Sequence, residues 1–312
     1  RTIATFRLLL PLLCVAWLAP AAPVQAQIAF RSAASAVGPA GGTIAFRAAT
    51  SAAGGNITFR AAATTGTPTS ATPVFRAAAS ATAASGVLTL AVNVPAGTLQ
   101  NDVMIAAVAV RPSTATITAP AGWALVRRTD NAGPTDSNSL AVYSRVAGVI
   151  EPANYAWAFS ASTGAAGGIQ AFFNVDTASP IDVENGAATP SGLAHTAPSI
   201  TTTVNRAMIV AHFTKSGAGT WTPPVAGGGM PAFTESFDVT IGAGAAGQSL
   251  EGTRALQAAA GATGAKTANA SANADAGNTH MLALRPALRI PVPAAVAPND
   301  LLLAAVAVQP DT

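Results

Sequence analysis

Histidine is the side chain with which to look for chemistry first, and this chain has three, His195, His212 and His280. A zinc site or an acyl-transfer triad needs partners that converge on the ring. None of the three histidines has a second ligand-type residue two to four positions on. The nearest approach to a nucleophile elbow, "GQSLEG", carries Glu251 where the motif needs a glycine. Asp182 and Glu184 in "PIDVEN" stand two apart, hence on one face of a strand. That spacing suits a carboxylate pair working on one bond, and equally two solvated acids at a strand end. The loop "TDNAGPTDSNS" offers Asp130, Asn131, Asp136 and Asn138 as oxygen ligands for calcium, a cation that accepts irregular loops. Its spacing is not that of an EF-hand, and the same residues favour plain turns. Trp123 and Trp221 lie beside prolines in corresponding loops. Each is placed either to stack on a sugar ring or to plug the end of a hydrophobic core.

Composition narrows these choices. Of the 312 residues, 50% are hydrophobic, but only 5% are aromatic and 9% charged, against about 25% charged in ordinary globular domains. Alanine, glycine, serine and threonine fill most of the chain. That material suits thin sandwiches or solenoids better than a thick enzyme core. The first 26 residues read as a secretory signal peptide: Arg1 and Arg7, an apolar run from Leu8 to Leu18, then Val24 and Ala26 at a small-residue cleavage site. The apolar run is too short to span a membrane. Cys14, the one cysteine, lies inside this leader, so the mature chain is expected to contain no disulfide, thiolate metal site or cysteine nucleophile. Without the leader's two arginines the net charge falls from +3 to +1. No basic patch interleaved with aromatics is present, which argues against a nucleic-acid partner.

The elements that would position any site are short strands. "VMIAAVAV" and "AMIVAHF" are apolar runs suited to buried central strands. "LAVYSRV" alternates, and "YAWAFS" places Tyr155, Trp157 and Phe159 on one face. Turn clusters separate the strands, and no long helical stripe with caps occurs. Such spacing predicts an all-β fold, a sandwich or barrel. Repeats organise it at three scales. Four segments share a Phe-Arg-Ala core: "IAFRSAASA", "IAFRAATSA", "ITFRAAATT" and "VFRAAASAT", containing Phe30-Arg31, Phe46-Arg47, Phe59-Arg60 and Phe75-Arg76. They read either as a row of adhesive or donor strands or as a flexible stalk. A fainter repeat aligns "NDVMIAAVAV" (101–110) with "NRAMIVAHFT" (205–214), so that two halves use one strand order. The longest aligns residues 91–114 with 289–312, about half of the positions being identical and Asp102 matching Asp300. The expected order is a leader (1–26), a Phe-Arg-Ala stalk (27–73), a sandwich domain (74–287) and the truncated start of a second copy (288–312).

"GTLQNDVMIAAVAVRPSTATITAPAGWALVRRTDN" and "GGIQAFFNVDTASPIDVENG" resemble a repeated domain of proteobacterial secreted and surface proteins, some described as Q-type biogenesis proteins of mannose-sensitive haemagglutinin pili. The resemblance covers 74–287 and the partial copy. It implies a jelly-roll-like antiparallel β-sandwich in an extracellular, multi-domain protein, and it brings no catalytic signature. The expectation is a non-catalytic structural or adhesive protein, secreted or on the outer surface or in the periplasm of a Gram-negative bacterium. Its partners would be copies of itself or neighbouring surface proteins, met by strand addition. The alternative is a carbohydrate-binding module using Trp123 or Trp221, with no cofactor beyond calcium.

Overall fold

The computed structural model describes residues 69–133, 137–243 and 247–289, and the backbone of four short strands upstream. Those are β1 (Ala29–Phe30), β2 (Ala33–Ser35), β3 (Thr58–Phe59) and β4 (Ala62–Thr64). β1 pairs with β3 and β2 with β4, both parallel and in motif register, Phe30 opposite Phe59. The leader, Phe46, Arg47 and the side chains of Phe30, Arg31, Phe59 and Arg60 lie outside the described residues. Pro68–Arg289 forms one compact unit, entered through β5 (Thr69–Ser70).

This unit is all-β and antiparallel. Its first half contains β6 (Val74–Ala83), β7 (Thr89–Asn93), β8 (Val103–Arg111), β9 (Ile117–Thr118), β10 (Ala124–Asn131), β11 (Asn138–Val146), β12 (Asn154–Phe159) and β13 (Gly164–Phe173). They make a large sheet in the order β10-β11-β8-β13-β6 and a small one in the order β7-β12-β9. The chain passes back and forth between the two sheets, as in a jelly roll, except that β10 extends the large sheet. The second half contains β14 (Ile181–Gly192), β15 (Ala194–Ala197), β16 (Thr201–Thr202), β17 (Ala207–Ser216), β18 (Trp221–Thr222), β19 (Thr234–Ile241), β20 (Gln248–Gln257), β21 (Gly261–Ala262), β22 (Lys266–Ala270) and β23 (Asp275–Leu284). Its sheets run β19-β20-β17-β23-β14 and β15-β22-β18. Apart from an added two-stranded pair, β16 with β21, this repeats the first half, with β14 in the place of β6. β24 (Leu288–Arg289) returns to pair with β5.

The expected sandwich of two similar halves is thus two sandwiches, each with its own pair of sheets. They stack through their large sheets, giving four layers and three apolar cores. One core lies inside the first sandwich around Trp157, Met104 and Ile169. One lies inside the second around Phe213, Ile209 and Met281. The third lies between the large sheets, around Ile105, Leu140, Leu250 and Leu282. β8 and β17 are therefore covered on both faces, which explains their unbroken apolar runs. Phe237 of β19 wedges between the large sheets, where Gly168 and Gly252 face its ring. A Cβ at either glycine would collide with that ring. Among the described residues no helix is long and apolar enough to cross a membrane.

Candidate functional site

The Phe-Arg-Ala segment that the structure describes in full is β6, and it is an edge strand of the first large sheet. Alternation sends Phe75 and Ala78 toward the core between the sandwiches and Ala81 and Ala83 toward the core of the first. Phe75 meets Phe172 edge to face, with centroids 5.7 Å apart, and the Arg254 guanidinium of the second sandwich covers its ring at 3.6 Å. The pairing to β13 slips between Ala77 opposite Ala171 and Phe75 opposite Phe172. Arg76 is the extra residue of this bulge, a device that re-aims one side chain. It reaches Asp102, just before β8. Arg76 Nε and Nη2 both donate to the carboxylate, the latter at 3.0 Å. Asp102 also accepts the Leu99 amide at 2.9 Å. The guanidinium lies 4.8 Å from the ring centroid of Phe173. The small residues that follow let the strand lie flat between its neighbours. The three residue types of the motif thus divide the labour of seating the strand. Phe anchors it, Arg fixes its register and Ala fits it between its neighbours.

Arg76→Ala is expected to cost about 3 kcal/mol, because it strands a buried carboxylate. Asp102→Ala should cost less: the Asp102 side chain is 3% exposed, whereas that of Arg76 is 23% exposed and reaches solvent. Denaturant midpoints of the two variants test this. Losses below about 0.5 kcal/mol in both would mean that the pair does not hold the strand.

The second sandwich uses the same slot with different charges. Asp182 is the bulge residue of β14, skipped between Ile181 and Val183. Its carboxylate accepts from Arg285 Nη2 at 2.9 Å and from the Thr203 amide at 2.7 Å. Arg206 precedes β17 at the position that Asp102 holds before β8. Asp182 and Glu184, proposed as a pair, do not act on one site. Glu184 turns into the interface between the sandwiches, where Arg127 Nε and Nη2 donate to it at 2.6 and 3.0 Å and His280 Nε2 at 3.0 Å. These hydrogen bonds outweigh burial and bring its carboxyl down to about 2. The slip of β14 at Asp182 parts two residues that plain alternation would keep together.

The histidines are packed. His212 and His280 pair across β17 and β23 with rings stacked at 6.2 Å. His212 Nε2 donates to Gln170 Oε1 at 2.9 Å, and Gln170 donates to Ser236 Oγ, also at 2.9 Å. His195 Nε2 donates to the Gly192 carbonyl at 3.0 Å, so Nδ1 accepts from the Thr189 hydroxyl at 2.6 Å. Burial lowers all three below the usual histidine range, His195 to about 4.

Of the two roles open to Trp123 and Trp221, stacking on a sugar or plugging the core, the structure gives the core: both are buried, so neither offers a sugar platform. Trp123 packs edge-on to Tyr155 at 5.3 Å and tilted to Trp157 at 5.4 Å. Trp221 packs against His195 at 5.3 Å. The proposed calcium ligands do not converge either. Asn131 and Asn138 pair across β10 and β11 and face the second sandwich, while Asp130 is on the opposite face. Asp130 accepts from Arg128 at 2.9 Å. Asn131 Nδ2 donates to the carbonyls of Thr189 at 2.8 Å and Gly277 at 3.0 Å. Asn138 exchanges hydrogen bonds with Ser216, Ala276 and Asn278. Asp136 lies outside the described residues, among which no cluster of three metal-ligating acids, histidines or cysteines occurs.

Sequence reasoning missed two features. One is the Arg127–Glu184–His280 network joining the sandwiches. The other is Glu251, fully buried inside the second, with no hydrogen-bond partner on either carboxylate oxygen. Burial, with Asp238 and Glu235 nearby, pushes it up to about 9. A cleft of about 580 Å³ is lined by Arg111, Ser137, Thr163 and Ile241. Arg111 there donates to the Gly247 carbonyl at 2.7 Å.

Fold and site together define an all-β protein of stacked sandwiches closed by edge strands. No protein-family model, curated protein or solved structure matches the chain.

Proposed function

We propose that the chain is a secreted or cell-surface structural and adhesive protein of a Gram-negative bacterium, built from tandem β-sandwiches and acting without catalysis. One observation carries this reading: the ionic groups fasten strands and sandwiches to one another. Arg76–Asp102 and Arg285–Asp182 hold the edge strands. Arg127–Glu184–His280 ties one sandwich to the next. The leader-like first 26 residues and the further copy that opens at 288 support export and a tandem array. So does the resemblance to repeated domains of proteobacterial surface proteins. The mechanism is display: stacked sandwiches extend a scaffold, and contacts are made along sheet edges.

The test is expression of the chain in a Gram-negative host. Mass spectrometry should find cleavage after Ala26, protease shaving of intact cells should remove the protein, and displaying cells should aggregate or attach more than cells without it. Retention in the cytoplasm with the leader intact would sink the export reading. Display with no change in aggregation or attachment would sink the adhesive one.

A further inference from the structure

We infer that the cleft in front of Lys266 in the second sandwich binds the carboxylate of an acidic sugar, which takes the place that Glu151 fills in the first. The inference rests on the adhesive reading above and names the class of ligand.

The chain has two lysines, Lys215 and Lys266, and both are buried. A lysine is seldom buried unless its charge is met. Burial lowers the Lys215 pKa, and Asp275 works against that shift. Lys215 Nζ also donates to the Gly217 and Ala218 carbonyls, each at 3.4 Å. Lys266 has no such acid. Its Nζ donates to the Gly227 carbonyl at 2.6 Å, its one acceptor among the described residues. Burial lowers its pKa too, and no neighbouring acid opposes the shift. An ammonium has three N–H donors, so most of its hydrogen-bonding capacity is left to the cleft it lines. That cleft encloses about 250 Å³ and is also lined by Pro224, Val225, Ala226, Gly264 and Ala265. Gly228 and Gly264 have left-handed backbone, with φ of 59° and 67°. A Cβ on Gly228 would rest 3.6 Å from Lys266 Nζ, and one on Gly264 3.9 Å from it. Either would cover the ammonium that the glycines leave open.

The first sandwich has the same corner in a closed form. There the cation is Arg145, which donates to the Ala121 carbonyl in the loop after β9, at 3.4 Å, beside left-handed Gly122. Lys266 donates likewise to the loop after β18, beside left-handed Gly228. Arg145 has its acid. Glu151 accepts from it at 3.1 and 3.3 Å, from the Gly148 amide at 2.6 Å and from the Tyr155 hydroxyl. Strand register aligns the two corners. Phe159 pairs with Ile117 of β9 as Ala270 pairs with Trp221 of β18. Four residues back from these, Tyr155 and Lys266 hold one position, and four further back Glu151 corresponds to Ala262. The second corner thus has a cation and lacks the carboxylate. A phosphate dianion favours several cations or the forked donors of arginine, whereas one ammonium suits one carboxylate. The cleft is smaller than those that enclose drug-sized ligands, so it takes a single small ring. A sugar ring can lay its C–H face on exposed Val225. A peptide would bring amide groups that these apolar walls cannot satisfy.

The scarcity of lysine permits a direct test on the full chain. Isotope-labelled lysine gives two side-chain signals in a nuclear magnetic resonance spectrum, and Lys266→Gln assigns them. Added glucuronate should move the Lys266 signal to saturation and leave that of Lys215 in place, and glucose should move neither. Lys266→Gln keeps a donor for the Gly227 carbonyl and removes the charge. It should weaken glucuronate binding, read from saturation transfer to the sugar protons, by about tenfold or more. Ala262→Glu places an acid where the first sandwich has Glu151. It should raise the urea midpoint and abolish glucuronate binding with Lys266 still present, so the test stands even if Lys266→Gln unfolds. Circular dichroism checks that each variant is folded. A Lys266 signal indifferent to glucuronate would overturn the inference, as would full binding by either folded variant. An equal response to N-acetylaspartate would make the ligand a peptide acid, and an equal response to inorganic phosphate would make it any anion. Either result overturns the sugar. A chain that is exported and adhesive yet ignores glucuronate keeps the functional reading and loses this one. A chain that binds glucuronate but is not exported does the reverse.

Discussion

Trp123→Ala lowers the stability of the chain by about 3–5 kcal/mol, and Trp221→Ala does the same. Each indole fills the core of its own sandwich, packed on Tyr155 and Trp157 in the first and on His195 and Phe213 in the second. Truncation leaves a cavity that strands hydrogen-bonded on both sides cannot collapse to fill. Trp→Phe retains most of the packing and should cost less. Urea unfolding of the single variants, followed by circular dichroism, checks this. A change within about 0.5 kcal/mol, with loss of binding to a glycan, would instead support the sugar-stacking alternative for these residues.

Glu251→Gln raises stability at pH 8 and flattens its dependence on pH. The folded chain holds the Glu251 carboxyl protonated up to about pH 9, whereas the unfolded chain releases that proton near the ordinary value of 4.5. Between those limits the folded state binds more protons, so stability falls as pH rises from about 4.5 to about 9. At about 1.4 kcal/mol per pH unit spanned, the loss amounts to several kcal/mol. Glutamine keeps the shape of the neutral acid and removes the titration. Glu251→Met also removes the unpartnered polar atoms and should stabilise further. The buried histidines act in the opposite direction. His195 titrates near 4 when folded and near 6.5 when unfolded, so its contribution is lost as pH falls through that window. Wild-type stability should therefore decline on both sides of a maximum, and Glu251→Gln should erase only the alkaline limb. Urea midpoints at pH 5, 7 and 9 measure this. An unchanged alkaline limb in Glu251→Gln would show that the carboxylate is ionised and partnered.

The strand pattern was legible because period-two alternation and turn residues are local properties. "YAWAFS" turns the same three aromatics inward in β12 that its spacing indicated. "VMIAAVAV", apolar on both faces, is the doubly covered β8. Repetition was legible too, since aligned segments fold alike: β8 and β17 occupy the same place in their sheets. Alternation assigns residues to two faces, but it does not say what lies on each. In "SLEGTRAL" the face bearing Leu250 reads as inner and the face bearing Glu251 as outer. The second small sheet covers that supposed outer face, so Glu251 is buried. The tryptophans in their proline-flanked loops posed the same ambiguity, and packing across the sheets resolved it.

By itself the sequence determined the short strands, the doubling of one strand order and the recurrence of Phe-Arg-Ala, all carried by neighbours along the chain. Only the tertiary structure decided that each half is a complete sandwich, that the large sheets meet face to face, and that the Phe-Arg-Ala segment at 74–82 is an edge strand fixed by Asp102. Those facts depend on contacts between residues far apart in the chain. Arg76 and Asp102 are 26 positions apart, and Asn131 and Gly277 are 146 apart. No local pattern records which distant charge or carbonyl a side chain will meet.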